Sequence, residues 1–207
     1  NEIYDIAQEN DIYLLSDEVY ARMIYDSREK YYSPSMRDAC KERTILTNGF
    51  SKTFAMTGWR LGCVIAPKLV IEKMGLLLQA TSSCVSPFIQ RAGIEAIKGS
   101  QSAIKAMIEE YKTRRDILVG GLNKFPGVRC IRPGGAFYVF PNITQTGMDD
   151  VEFSEVMLEE GGVALLPGSN FGISGRGFVR LCYATSRKNI LEGLRRMRNV
   201  LEKRLRV

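Results

Sequence analysis

The alternation of apolar and polar positions divides this chain into two stretches of different rhythm. In the first, short apolar runs bounded by polar residues predict buried strands at residues 12–15, at Ile45 and Leu46 within 43–47, and at 61–66. The chain opens on what reads as the tail of an amphipathic helix, with Ile3, Ile6 and Ala7 as its apolar face, which predicts a fragment of a longer protein. Residues 25–38, rich in Tyr, Ser, Lys and Arg, predict an irregular surface connection. Pro67 and Pro87 stand where a proline opens a helix, one running to about Gln79 and the other to Lys98, closed by Gly99-Ser100. A long helix over about 101–124 follows, with Ala103, Met107, Ile108, Tyr111, Ile117, Leu118 and Leu122 roughly on one face.

From Pro126 the runs shorten. Strands are predicted at 128–131 and 136–140 around the turn Pro133-Gly134-Gly135, at 163–166 and at 178–183. Helices are predicted over 151–160, closed by Gly161-Gly162, and from about 187 to the end. The pattern implies an α/β layer over 1–100 and an α+β domain over 101–207 that begins with the long linking helix.

At 207 residues and 45% hydrophobic content, the chain can bury a core without a disulfide or metal staple. Its charge of +6 invites a nucleic-acid partner. The cations crowd one helix, however: Arg195, Arg196, Arg198, Lys203, Arg204 and Arg206 interleave with an apolar stripe of Leu191, Leu194, Met197, Leu201 and Leu205. That is the polar face of an amphipathic helix, so no nucleic-acid partner is expected. No run reaches the about eighteen apolar residues of a membrane span, and no signal peptide is visible, so a cytoplasmic protein without a membrane partner is expected. Five scattered cysteines predict free buried thiols. With no histidine and no Cys-x-x-Cys pair, no metal site is expected, and any general base must be Lys, Asp, Glu, Tyr or Cys.

The candidate chemistry centres on residues 48–60, where Lys52 stands among apolar and small residues and Arg60 follows eight positions later. Lys52 is expected on a loop at a strand end, where open α/β sheets bind ligands. An amine held among apolar groups is more readily neutral and nucleophilic than a solvated one. The Arg60 guanidinium suits a phosphate dianion or a surface salt bridge. Asp17, ending the first predicted strand, reads alone as a loop or helix-cap carboxylate; Tyr20 reads as a half-buried strand aromatic and Glu18 as a surface or supporting residue. Arg180 sits in an alternating strand that does not tolerate an unpaired charge, so a protein carboxylate or a ligand carboxylate must satisfy it.

The run Ser51-Lys52-Thr53-Phe54-Ala55-Met56-Thr57-Gly58-Trp59-Arg60 resembles the cofactor-lysine segment of fold-type I pyridoxal-phosphate aminotransferases of the aspartate and aromatic kind. The resemblance implies that Lys52 carries pyridoxal 5'-phosphate as a Schiff base, that Arg60 holds its phosphate, and that Ser51 is a phosphate or supporting contact. Asp17-Glu18-Val19-Tyr20 is similar to the family's aspartate-x-x-tyrosine element, which implies Asp17 on the pyridine nitrogen and Tyr20 on the phenolic oxygen. Phe178-Val179-Arg180-Leu181-Cys182-Tyr183-Ala184-Thr185-Ser186 is similar to the segment whose arginine clamps the substrate α-carboxylate, and 134–138 to one beside the substrate side chain.

Two positions depart from the family pattern. Gly49 stands where a serine or threonine often binds phosphate, and Gln79, Ala80 and Thr81 occupy the place of an arginine for a distal carboxylate. The resemblance covers nearly the whole chain but only the later part of a family member. It implies the C-terminal part of a large three-layer α/β/α cofactor domain over 1–100, followed by the small α+β domain of the aspartate aminotransferase fold. The implied activity is transfer of an amino group from an L-amino acid to a 2-oxo acid in a homodimer. A β-lyase using the same cofactor, or a catalytically incomplete scaffold, are the alternatives.

Overall fold

The structure is a computed structural model that describes residues 2–26 and 31–204. The chain divides into two compact units, Asn1–Ala106 and Met107–Val207, and the division falls within one long helix.

The first unit runs α1 (Glu2–Glu9), β1 (Leu14–Asp17), α2 (Ser35–Asp38), β2 (Thr44–Gly49), the helical turn α3 (Phe50–Thr53), β3 (Gly62–Ile65), α4 (Lys68–Thr81) and α5 (Pro87–Lys98). β2 is the middle strand: β1 pairs with it in parallel, Asp17 level with Thr47, and β3 antiparallel, Gly62 level with Gly49. The two prolines act as the sequence predicts, Pro67 capping α4 and Pro87 forming the first position of α5.

Burial in this unit departs from the periodicity. In α1 the buried pair is Tyr4 and Ala7, while Ile3 and Ile6 are 68% and 56% exposed. β1 starts at Leu14 rather than Ile12, Leu15 is 66% exposed, and Ile65, on the opposite face by register, is 53% exposed. Strands apolar on both faces belong in a sheet covered on both sides; the described residues cover each face only in part. α4 likewise exposes Leu69, Leu76 and Leu77, and an open cleft of about 590 Å³ beside it is lined by Cys63, Val64, Ile71, Met74 and Leu78.

The expected surface connection, of which residues 27–30 lie outside the described residues, ends in α2 and in a buried carboxylate. Asp38 accepts hydrogen bonds from the backbone N–H groups of Cys40 at 2.9 Å, Arg43 at 3.0 Å and Thr44 at 2.9 Å. Those donors would otherwise be stranded, because Ala39 and Cys40 turn the chain through the left-handed region. Burial pushes the Asp38 carboxyl up, but the backbone donors of Arg43, Thr44 and Cys40 outweigh it and hold the pKa down at about 2.

The second unit contains most of α6 (Ser102–Leu122), then β4 (Tyr138–Val139), α7 (Asp150–Glu159), β5 (Leu166–Pro167), β6 (Val179–Cys182) and α8 (Arg187–Arg204). Its sheet is antiparallel in the order β4-β6-β5, with Tyr138 opposite Cys182 and Leu166 opposite Arg180. The core gathers Leu118 and Leu122 of α6, Phe153 and Met157 of α7, Val179 of β6, and Leu194 and Leu201 of α8. Ala103, assigned by the sequence to the apolar face of α6, is exposed.

The predicted strands shrink here for identifiable reasons. Residues 128–131 reduce to one bridge, Arg129 with Asn142, and 136–140 narrow to β4 because Ala136 adopts a left-handed φ of 57°. The strand at 163–166 moves to β5, since the Val163 N–H donates to the Met157 carbonyl and closes α7 instead. In α8, Ile190 and Val200 join the buried stripe and Leu191 is 56% exposed; Leu205 and Arg206 lie outside the described residues. All five cysteines are free, but only Cys40 and Cys130 are buried, whereas Cys63 and Cys182 lie on open faces of their sheets and Cys84 in the exposed connection between α4 and α5. Burial pushes the Cys130 thiol up to about 11. Among the described residues, no helix is long and apolar enough to cross a membrane.

The segment between β5 and β6 is fixed by α7. Asp149 caps that helix, and the buried Asp150 accepts the Ser169 N–H at 2.8 Å and the Gly177 N–H at 3.4 Å. Gly168 and Gly175 meet backbone to backbone: a β-carbon on Gly168 would lie 2.1 Å from the Gly175 carbonyl oxygen.

Two outcomes are expected in urea unfolding. Asp38→Ala costs about 2–3 kcal/mol, and Gly168→Ala costs roughly 2 kcal/mol or more. The Asp38 contribution is present above the ordinary carboxylate range and is lost as pH falls toward about 2, so unfolding curves of wild type and Asp38→Ala should converge over that acid interval.

Candidate active site

Parallel neighbours end at the same edge of a sheet, and an antiparallel neighbour begins there. Asp17 closes β1, Lys52 lies in the turn immediately after β2, and Arg60 stands two residues before β3, so the first unit brings all three to one edge of its sheet. Lys52 was expected on a loop; it sits in the helical turn α3. That turn is tied at Phe50, whose N–H donates to the Leu61 carbonyl at 3.1 Å and whose carbonyl accepts from Phe54 and Met56. Phe50 is buried and stacks on Phe54 with centroids 5.1 Å apart. α5 approaches this turn through Gly93, where a β-carbon would lie 2.5 Å from Leu61 Cδ2 and 3.5 Å from the Phe50 ring. The apolar residues around Lys52 are therefore the packing that fixes its backbone. Ser51 and Lys52 are half-buried, and the Ser51 carbonyl accepts from Thr57 Oγ1 at 3.0 Å.

Arg60 is exposed, with a left-handed φ of 53°, and its Nη1 donates to the Thr57 carbonyl at 3.1 Å. Among the described residues no carboxylate pairs with it. Asp17 is exposed, and its Oδ1 accepts the Val19 N–H at 3.2 Å in a local turn. Tyr20 is half-buried, as expected, but in that turn rather than in a strand. Glu18 is the surprise: only 6% exposed, it accepts from Ser16 Oγ at 3.1 Å and from Ser33 Oγ, while its N–H donates to the Thr47 carbonyl at 2.8 Å. The signal for it was present in the two-residue period, because Leu14, Ser16 and Glu18 share one side of β1 while Leu15 and Asp17 share the other.

In the second unit, Arg180 projects from β6 and is half-buried. Its guanidinium carbon lies 4.4 Å from the Phe171 ring centroid and 4.6 Å from that of Tyr138. No carboxylate among the described residues pairs with it. Neighbouring arginines are treated differently. Hydrogen bonds from Arg187 and Arg114 hold the Glu110 carboxyl down at about 2, and Arg115 and Arg132 share Asp116. Arg115 also donates to the Pro133 carbonyl at 2.9 Å, anchoring the turn that leads to Tyr138. Phe171 was not singled out by the sequence; its only signal is a large ring inside the glycine-rich stretch 168–177. Gln79, Ala80 and Thr81 form the exposed last turn of α4.

The family model for aminotransferase class I and II matches residues 1–197. An aspartate aminotransferase from Pyrococcus horikoshii is 48% identical over 202 residues, covering 97% of this chain and 51% of the relative. Aromatic-amino-acid aminotransferase 2 of Thermococcus litoralis is 45% identical over 205 residues, covering 98% of this chain and 52% of the relative. Among solved structures, the aromatic aminotransferase from Pyrococcus horikoshii aligns with a TM-score of 0.93 at 44% identity, over 100% of this chain and 55% of that one. The aspartate aminotransferase from Rhizobium meliloti aligns with a TM-score of 0.89 at 32% identity, over 97% and 52%. The chain thus spans about half the length of the curated relatives it matches. Within that span the mixed α/β architecture is that of the aspartate aminotransferase fold, and from Asn1 to residue 197 the chain belongs to the aminotransferase class I and II family.

Proposed function

We propose that this chain anchors pyridoxal 5'-phosphate through Lys52 and clamps the α-carboxylate of an amino-acid substrate through Arg180, as part of an aminotransferase. Membership of the family implies that cofactor. The convergence of an amine, a carboxylate and a guanidinium on one sheet edge carries the proposal, because those three groups match an aldehyde, a pyridine nitrogen and a phosphate. When bound, pyridoxal 5'-phosphate supplies the carbonyl that takes up an amine and the ring that absorbs the electron pair left at the substrate's α-carbon.

The residues have distinct tasks. Lys52 Nζ would hold the cofactor covalently and, when free, would be the general base for the α-proton. Asp17, exposed at the end of β1, would face the ring nitrogen and favour its protonated form. Tyr20 would offer its hydroxyl to the phenolic oxygen, and Arg60, with Ser51 beside Lys52, would hold the phosphate. Glu18 is a positioning residue: its buried hydrogen bonds fix the strand end from which Asp17 projects. Arg180, paired with no carboxylate among the described residues, would offer its N–H edge to the substrate's.

The substrates are an L-amino acid and a 2-oxo acid, used in alternation. The last turn of α4 holds no arginine for a distal carboxylate, which argues against strict specificity for aspartate. The relatives named above are aminotransferases, which does not favour the β-lyase alternative. A cytoplasmic homodimer is proposed for the whole protein.

Two measurements on the whole protein test this. Borohydride reduction of the cofactor-loaded protein followed by peptide mass spectrometry is expected to find the cofactor on Lys52; Lys52→Ala should abolish that adduct and lower turnover about 10²–10⁴-fold. An adduct on another lysine, or normal turnover in Lys52→Ala, would refute the assignment. Arg180→Ala is expected to raise KM for the amino acid about 10–100-fold, and an unchanged KM would remove Arg180 from the site.

A further inference from the structure

Most paired arginines of the second unit are gripped by their edges, as Arg187 is by Glu110 and Arg204 by Glu160. Arg180 instead has two rings against its guanidinium, those of Phe171 and Tyr138. We propose that Phe171 and Tyr138 form a slot that fixes the plane of the Arg180 guanidinium and selects planar carboxylates over tetrahedral oxyanions. This rests on the assignment of Arg180 as the carboxylate clamp.

All five guanidinium N–H donors lie in one plane. The rings attract the cation; in the proposed slot they lie beside its faces and leave the in-plane edge for a ligand. A carboxylate is itself planar and pairs edge to edge with both oxygens in that plane. A phosphonate or sulfonate carries a third oxygen out of the plane, where it finds no donor and meets the electron-rich face of an aromatic ring.

The slot is stiff on both sides. Phe171 rests edge-on against Phe140 at 6.1 Å, and Phe140 stacks on Phe178 at 5.2 Å with an interplanar angle of 6°. The segment that carries Phe171 is pinned by the Asp150 carboxylate and by the backbone contact of Gly168 with Gly175. Tyr138 is paired in β4 against Cys182, two residues from Arg180, and packs on Phe137 at 4.8 Å. A slot built this way acts on ligand shape as well as on affinity.

The test uses the whole protein and two probes of equal charge, 3-phenylpropanoate and 2-phenylethylphosphonate, the latter below its second ionisation, with dissociation constants from calorimetry. Wild type is expected to favour the carboxylate about tenfold or more. Phe171→Leu and Tyr138→Leu should bring that ratio to within about threefold, while Phe171→Tyr and Tyr138→Phe, which keep a ring face, should preserve it. A residue that only supports the fold would weaken both probes together and leave the ratio unmoved. Should Phe171→Leu fail to fold in thermal unfolding, Tyr138→Leu decides. A wild-type ratio that persists in the leucine variants overturns the slot while leaving the clamp intact. Carboxylate binding unaffected by Arg180→Ala overturns the clamp and the slot together.

Discussion

The first unit depends on where β2 begins, and a single carboxylate sets that point. The chain reaches β2 through left-handed turns at Ala39 and Cys40, and such a path leaves backbone donors with nowhere to go inside a protein. Asp38 collects them, the last being the N–H of Thr44, the first residue of the strand. Because side chains alternate along a strand, a start displaced by one residue would turn the whole of β2 over. Asp17 would then lose its level partner Thr47, and the turn bearing Lys52 would leave the edge where Arg60 stands. The distance in sequence between Asp38 and Lys52 hides how directly one controls the other.

Electrostatics in the second unit follows a similar economy. Its helices carry many cations, but Glu110, Asp116, Glu160 and Glu192 each answer one or two of them on the surface, where such pairs contribute little apiece. Against that background an arginine that lies in a strand with aromatic rings as its companions stands out. Rings lower the cost of holding the cation in place without consuming its hydrogen-bonding edge. A carboxylate in the same location would have satisfied Arg180 and closed it to any ligand.

The features legible in the sequence were those encoded locally. Pro67, Pro87 and Gly99 mark helix ends through backbone chemistry that needs no partner, and the run from Asn48 to Arg60 carries both its cations and the residues that fold it. What escaped depends on partners distant in sequence. Leu15 and Ile65 read as buried because strands of that composition are covered on both sides in a complete sheet, yet exposure is decided by whatever lies above each face. Asp38 and Glu18 read as surface residues because charge predicts exposure; the two-residue period of β1 hinted otherwise for Glu18, and the backbone donors and serine hydroxyls around the two carboxylates account for their burial. Residues 128–131 have strand composition, but the pairing available to them is the single bridge of Arg129 with Asn142. Phe171 has only a weak local signature, a ring in a glycine-rich stretch, since its meaning comes from standing beside Arg180.

The left-handed backbone at Arg60 has a consequence for engineering. A residue with a β-carbon in that region carries a penalty of about 1 kcal/mol or more that glycine escapes, so a search for thermostability guided by backbone preference alone would choose glycine there. It would find a sturdier chain and discard the guanidinium. If Arg60 takes the phosphate as proposed, position 60 is one where resistance to heat and grip on an anion pull in opposite directions, and where a stability screen blind to ligand binding would select the wrong residue.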